Sequence, residues 1–261
     1  MKRMTKDELE LGTNVGFEVA RRIATITLNR PERGNAITFQ MLLDVKKALQ
    51  FCQETRAVRA VILTGRGTSF TTGMDVDSLL AGGPETTRKA ETLANEITSL
   101  IYNGKPVISA INGKAMGDGV IYALASDYRI AVNDAYFQMP EVNLSIFPGT
   151  GCVVLMARVL GISWAKKILV FAERIRSERA LEINLVDALV ERQDQLMEVA
   201  LQKAKFLASK DPTLVRAIKL SCNHLADKAF DAARKLEKFA SRWFEREDKG
   251  DFLAQLTERL I

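Results

Sequence analysis

The stretch Ser109–Gly151, SAINGKAMGDGVIYALASDYRIAVNDAYFQMPEVNLSIFPGTG, holds two glycine-rich turns and, in a mostly apolar setting, the carboxylate of Glu141. Upstream, the loop FTTGMDVDSL, Phe70–Leu79, supplies a further turn with a central glycine. Two such turns can aim backbone N–H groups at one oxygen, and a carboxylate beside them can move a proton. That is equipment for forming and quenching an enolate. The residues around Glu141 (Phe137, Met139, Val142, Leu144, Ile146 and Phe147) are apolar, so its pKa is expected to rise toward neutrality.

The rest of the chain must position these groups. With 261 residues, 47% hydrophobic and 26% charged, it can bury one sizeable core. No apolar run reaches the roughly 18 residues that span a bilayer, and no membrane partner is expected. The start, MKRMTKDELELG, has charges where a signal peptide needs its apolar stretch, so a cytoplasmic location is expected. The net charge of +5 and pI near 9.1 come from scattered Lys and Arg without interleaved aromatics. This argues against nucleic acid and fits a small polyanionic ligand. Cys52, Cys152 and Cys222 form no CxxC pair and read as reduced core residues. The single histidine, His224, has no companion for a zinc site or a Ser/His/Asp triad and reads as structural, or as a surface residue near a subunit contact. The glycines of Gly149–Gly151 lack the third glycine and the strand context of a dinucleotide fingerprint, so no NAD, metal or P-loop is inferred.

Val15–Val19 and Ile23–Leu28 alternate as a hairpin joined through Ala20, Arg21 and Arg22. Asn29–Ala36 is a loop, and Thr38 can cap a helix carrying Met41, Leu42, Val45, Leu49 and Cys52 on one face. Strands are expected at 58–63, 106–111 and 128–132. Helices are expected at 85–103, 119–125, near 151–160, 164–171 and 177–183. Strands alternating with helices indicate an α/β core. From about residue 193 the pattern is almost wholly helical: 196–209, 212–222, 229–247 and 252–260. The apolar positions Ala229, Ala233, Leu236, Ala240 and Trp243 fall three or four apart, a stripe that can dock on its own core or on another subunit.

Four blocks in order carry a family resemblance: Ile26–Thr38, Ala60–Leu79, Pro106–Gly119 and Ala125–Gly151, with a weaker fifth at Glu173–Val190. By these the chain resembles the enoyl-CoA hydratase/isomerase, or crotonase, superfamily over about 85% of its length. The resemblance implies an α/β fold: a crotonase-like spiral of ββα units over 1–192 and a helical oligomerisation region over 193–261, assembled as a homotrimer or a dimer of trimers. It also implies an acyl-CoA substrate, with coenzyme A as part of that substrate and no separate cofactor.

By motif position the resemblance assigns the oxyanion N–H groups to Thr72 and Asp118. Gly73 and Gly119 would let the backbone pass close to the ligand, with Gly117 making the turn before a helix. It places Thr71 through Asp75, Met74 included, at the thioester end of coenzyme A, and Arg30 near the phosphates. Ile121, Tyr122, Phe147 and Met116 are candidates for the acyl tunnel. Two departures stand out. Asp118 replaces the usual glycine of the triplet; an outward cap on the following helix is the favoured reading, an inward second acid the alternative. Ile121 occupies the place of one of the two hydratase glutamates, while Glu141 keeps the other. One carboxylate suits a double-bond shift, so the expected activity is isomerisation of a 3-enoyl-CoA to a 2-enoyl-CoA with Glu141 as proton shuttle. The alternatives are enoyl-CoA hydration, another crotonase reaction such as decarboxylation or hydrolysis, or a non-catalytic acyl-CoA-binding paralogue.

Overall fold

A hairpin begins the sheet that carries everything else. β2 (Val15–Ala20) and β3 (Ile23–Leu28) pair antiparallel with Ala20 opposite Ile23, and β1 (Met4–Thr5) pairs on the outside of β2. The computed structural model describes residues 4, 5, 9–224, 234, 235 and 238. The two turn residues, Arg21 and Arg22, both sit at positive φ, 50° and 69°. This is the mirror-image turn that matches strand twist, normally filled by an Asn-Gly dipeptide. Arginine is strained there. The double substitution Arg21→Asn with Arg22→Gly should stabilise the protein by about 1 kcal/mol, read as a rise of about 2–4 °C in thermal unfolding.

The main sheet continues with β4 (Ala60–Gly65), β6 (Val107–Ile111), β8 (Tyr128–Val132) and β11 (Ala188–Val190), in the order β1-β2-β3-β4-β6-β8-β11. From β3 onward the pairing is parallel. β4 and β6 are covered on both faces, which is why AVILT and VISAI read as unbroken apolar runs. A second sheet consists of β5 (Ser69–Thr71), β7 (Lys114–Met116) and β9 (Tyr136–Gln138), all parallel, with β10 (Ile175–Arg176) antiparallel at the edge beside β9. Each of β5, β7 and β9 follows one long strand, and a helix follows each of them. The chain therefore climbs as a spiral of strand, strand, helix units, as expected.

The helices are α1 (Phe39–Glu54), α2 (Val76–Ala81), α3 (Gly83–Asn103), α4 (Asp118–Ala125), α5 (Cys152–Leu160), α6 (Ile162–Val170), α7 (Ser177–Glu182), α8 (Gln193–Ala208) and α9 (Pro212–His224). Thr38 caps α1 by accepting from the Met41 N–H at 3.3 Å. Every residue of α4 is buried, so it is apolar all round apart from Asp118 and the Tyr122 hydroxyl. α8 lies on the main sheet and turns Leu196, Ala200, Ala204 and Ala208 inward.

α9 is tied down by Lys219, whose buried ammonium donates to the Asp127 carboxylate at 2.7 Å and to the Ile101 carbonyl at 2.7 Å. Asp127 in turn accepts from the Val107 N–H at the start of β6. Cys52 and Cys152 are buried as expected, and burial pushes the Cys52 thiol up to about 12. Cys222 is the exception: it lies exposed on α9, on the same outer face as Leu214 and Ile218. The expected helices at 229–247 and 252–260, and the apolar stripe on them, lie outside the described residues.

Candidate active site

Three pieces of backbone and one carboxylate converge at the top of the small sheet. β5 ends in the turn at Gly73, β7 in the turn at Gly117, and β9 leads through Pro140 into a short 3-10 turn at Glu141–Leu144. A Cβ on Gly73 (φ 87°) would lie 3.1 Å from the Met116 carbonyl and 3.5 Å from the Gly117 Cα. A Cβ on Gly117 (φ 51°) would lie 3.0 Å from Glu141 Oε1 and 3.6 Å from the Gly73 Cα. Both positions combine a left-handed backbone with close approach, so only glycine fits. The Glu141 carboxylate thus lies over the meeting point of the two loops.

An accounting of the N–H groups there corrects one assignment. The Thr72 N–H already donates to the Gly34 carbonyl at 3.1 Å, so it is not an oxyanion donor. The Gly73 N–H is spent on Thr71 Oγ1 at 3.1 Å. The next one is free. Ile37 forms a bridge across Met74, donating to the Gly73 carbonyl at 2.8 Å and accepting from the Asp75 N–H at 2.9 Å. In parallel pairing this turns the Met74 N–H away from Ile37, and it has no acceptor among the described residues. The Asp118 N–H, at the first position of α4, has no backbone acceptor, as the geometry of a helix N-terminus requires, and lies beside its own carboxyl. The two N–H groups with no partner in another residue are therefore those of Met74 and Asp118, the second backed by the positive end of α4.

The neighbouring residues hold these loops. Asp75 caps α2 by accepting from the Ser78 N–H and pairs with Arg30 Nη1 at 2.6 Å. The Arg30 guanidinium holds the Asp75 carboxyl below its usual range. The same Nη1 donates to the Ala36 carbonyl at 3.1 Å, so Arg30 braces the Asn29–Ala36 loop against the Met74 turn instead of standing free for a phosphate. A Cβ on Gly119 would meet Thr71 Cγ2 at 2.7 Å, which is what packs the start of α4 against β5.

Asp118 is the second correction. It does not face outward; it is 6% exposed, inside the protein. Burial pushes its carboxyl up to about 7; the negative charge of Glu91 on α3 adds to the rise, while its own N–H and the nearby Thr150 hydroxyl temper it. Burial likewise lifts Glu141 to about 7, with the charge of Asp118 contributing. The rise at Glu141 is the one its apolar neighbours predict. Ile121, 3% exposed, has no polar function there.

Two residues go beyond their sequence reading. Tyr122, in the sequence a candidate tunnel wall, has a fully buried hydroxyl without a partner, and the charge of Asp118 one turn earlier pushes that phenol further up. Thr150 carries no role in the sequence reading. It sits at φ 60° between two glycines, a conformation rare for a β-branched residue, with its Oγ1 buried and without a partner of hydrogen-bond geometry. The threonine inside that glycine pair is the one signal the sequence offers. Glu141 Oε2 is also buried and unpartnered. Of five such side-chain atoms among the described residues, three belong to residues that interact electrostatically with Asp118; the other two are Gln53 Nε2 and Arg129 Nε. Among the described residues no three His, Cys, Asp or Glu stand together as a metal-binding group, and no helix is long and apolar enough to cross a membrane.

A sequence model of the enoyl-CoA hydratase/isomerase family matches residues 18–251. The chain belongs to that family of enzymes. It is 34% identical to the short-chain-enoyl-CoA hydratase of Clostridium acetobutylicum, covering 94% of this chain and 95% of that protein. It is also 34% identical to the crotonyl-CoA hydratase of Syntrophomonas wolfei, covering 86% of each. The crystal structure of an enoyl-CoA hydratase/isomerase from Mycobacterium paratuberculosis superposes with a TM-score of 0.84 over 94% of this chain and 99% of that one, at 23% identity, a likeness of fold.

Proposed function

We propose that the protein is an enoyl-CoA hydratase, adding water across the 2,3 double bond of a short 2-enoyl-CoA. The observation that carries this reading is the pair of buried carboxyls, Asp118 and Glu141, both near 7 and close enough for charge on one to raise the other. Such a pair holds one proton at neutral pH, which gives one acid and one base. The two relatives described above are named hydratases, in line with this reading. It replaces isomerisation by Glu141 alone as the favoured reaction, because the second carboxylate missing at Ile121 is supplied from Asp118.

The Met74 and Asp118 N–H groups receive the thioester oxygen. Aimed donors of this kind are worth about 3–4 kcal/mol each as the oxygen gains charge. Asp118, ionised, takes a proton from water as the water oxygen bonds to C3, and the double-bond electrons move onto the thioester oxygen as an enolate. Glu141, protonated and lying over Gly117, gives its proton to C2 as the enolate collapses. Transfer of the proton from Asp118 to Glu141 restores the starting state. Coenzyme A is part of the substrate, and no separate cofactor enters the reaction.

Isomerisation is the second reading, favoured by the apolar Ile121. The two part in a direct assay of one preparation. Crotonyl-CoA should be hydrated at a rate typical of efficient enzymes, about 10–10³ per second, and 3-hexenoyl-CoA converted far more slowly. The reverse ranking would overturn hydration.

A further inference from the structure

We propose that Thr71, anchored by Asn35, is the positioning residue that aims the Met74 N–H at the thioester oxygen. The proposal rests on the placing of that oxygen between Met74 and Asp118, and it holds whichever reaction follows.

Asn35 is fully buried and sits at φ 57°, a left-handed conformation that asparagine adopts more readily than most residues. Its Nδ2 donates to the Arg66 carbonyl at 2.9 Å and to the Ser69 carbonyl at 2.7 Å, and its Oδ1 accepts from the Arg30 N–H at 2.8 Å. The Ser69 carbonyl accepts a second amide, from Asn112 at 3.0 Å. Two side chains thus pin β5 where its register against β7 shifts, between Ser69 and Thr71. The Asn35 backbone carbonyl is left for Thr71, whose Oγ1 donates to it at 2.7 Å. A hydroxyl has one hydrogen. With that hydrogen committed to Asn35, Oγ1 can only accept on its other side, and it does so from the Gly73 N–H at 3.1 Å. The Met74 N–H shares a rigid peptide plane with the Gly73 carbonyl, which accepts from the Ile37 N–H at 2.8 Å. Gly73, at φ 87°, has no side chain to restrict it, so these two bonds, one on each side of its Cα, set where the Met74 N–H points. Thr71 is itself fully buried, so its side chain serves this loop and does not reach coenzyme A. Its methyl lies against Gly119, next to Asp118, so one side chain touches both halves of the oxyanion hole.

The test compares Thr71→Val, which keeps the methyl and removes the hydroxyl, with Thr71→Ser, which keeps the hydroxyl. The probe is 2,4-hexadienoyl-CoA, a conjugated thioester that absorbs at longer wavelength as hydrogen bonds draw electrons onto its oxygen. Bound to the Glu141→Gln protein, where turnover does not consume it, the probe should show that shift. Adding Thr71→Val should cut the shift by about half or more with Kd changed less than about threefold, and adding Thr71→Ser should preserve it. With Glu141 in place, Thr71→Val should lower kcat on crotonyl-CoA about 10–100-fold at little cost in KM, and Thr71→Ser should stay within about fivefold of wild type. A full shift in the Thr71→Val protein would overturn the proposal. So would equal losses in the valine and serine variants, since the residue would then serve packing alone. No shift in the Glu141→Gln protein itself would remove the thioester oxygen from Met74 and Asp118, and the proposal would fall with that placing. A shift that the valine variant loses, beside a wild type that does not hydrate crotonyl-CoA, would remove the hydration reading and leave the positioning role standing. If Thr71→Val does not fold, hydrogen exchange in the wild type decides: the Gly73 amide should be protected about 10²-fold or more, and a freely exchanging Gly73 amide would overturn the proposal.

Discussion

Glu141→Gln should lower crotonyl-CoA turnover by a factor of about 10² or more while acyl-CoA still binds. The substitution keeps the size of the side chain and its place over Gly117, and removes the carboxyl proton that the proposed mechanism delivers to C2. The wild-type rate should follow a bell in pH, with both limbs near neutrality, because the reaction needs one of two carboxyls near 7 protonated and the other ionised. The variant should lose the bell. Steady-state kinetics from mildly acidic to mildly alkaline pH, with calorimetry for binding, check both parts. Wild-type turnover in Glu141→Gln would remove the residue from the mechanism.

Asp118→Asn should abolish most hydration and yet make the protein more stable in alkali. The folded-state pKa of Asp118 is raised from 3.8 to about 7, so between these values the folded protein holds a proton that the unfolded chain has released. Its contribution to stability is therefore fully present below about pH 4 and is lost as the pH rises through about 7. Above that, a charge is buried at a cost of about 2–4 kcal/mol, which Asn does not incur. Denaturant unfolding at about pH 8.5 should show Asp118→Asn more stable than wild type by an amount of that order, and at about pH 4 the advantage should vanish. Hydration should fall by about 10² or more, since water loses its base. A variant that hydrates normally would remove Asp118 from the mechanism.

The long elements are legible in the sequence because their periodicity is local. β4 and β6 read as apolar runs and α1 as a one-sided stripe with Thr38 ahead of it, and the structure places them within about two residues. The small sheet is not legible. Its strands are two or three residues long, too short for alternation to show, and their pairing is decided by the spiral. α2 does not stand out from its loop, because six residues give no period and only Asp75 marks its start. At the site, Glu141 and the glycines can be found by motif. The spent N–H of Thr72 cannot, since its acceptor, Gly34, lies far back in the chain and meets it only in three dimensions. The Asp118 side chain departs from its expected direction for a related reason. A helix N-terminus favours a capping carboxylate, but α4 starts inside the protein, where no outward face exists.

The Lys219–Asp127 pair bears on how the chain is made. Asp127 lies at the entry to β8, and its counterion arrives 92 residues later, on α9. During synthesis Asp127 and the strands beside it are made before Lys219. Until α9 docks, Asp127 lacks its cation and keeps the Val107 N–H as its partner. The start of β6 and the entry to β8 are therefore completed by a helix that the chain supplies only after both strands have been made.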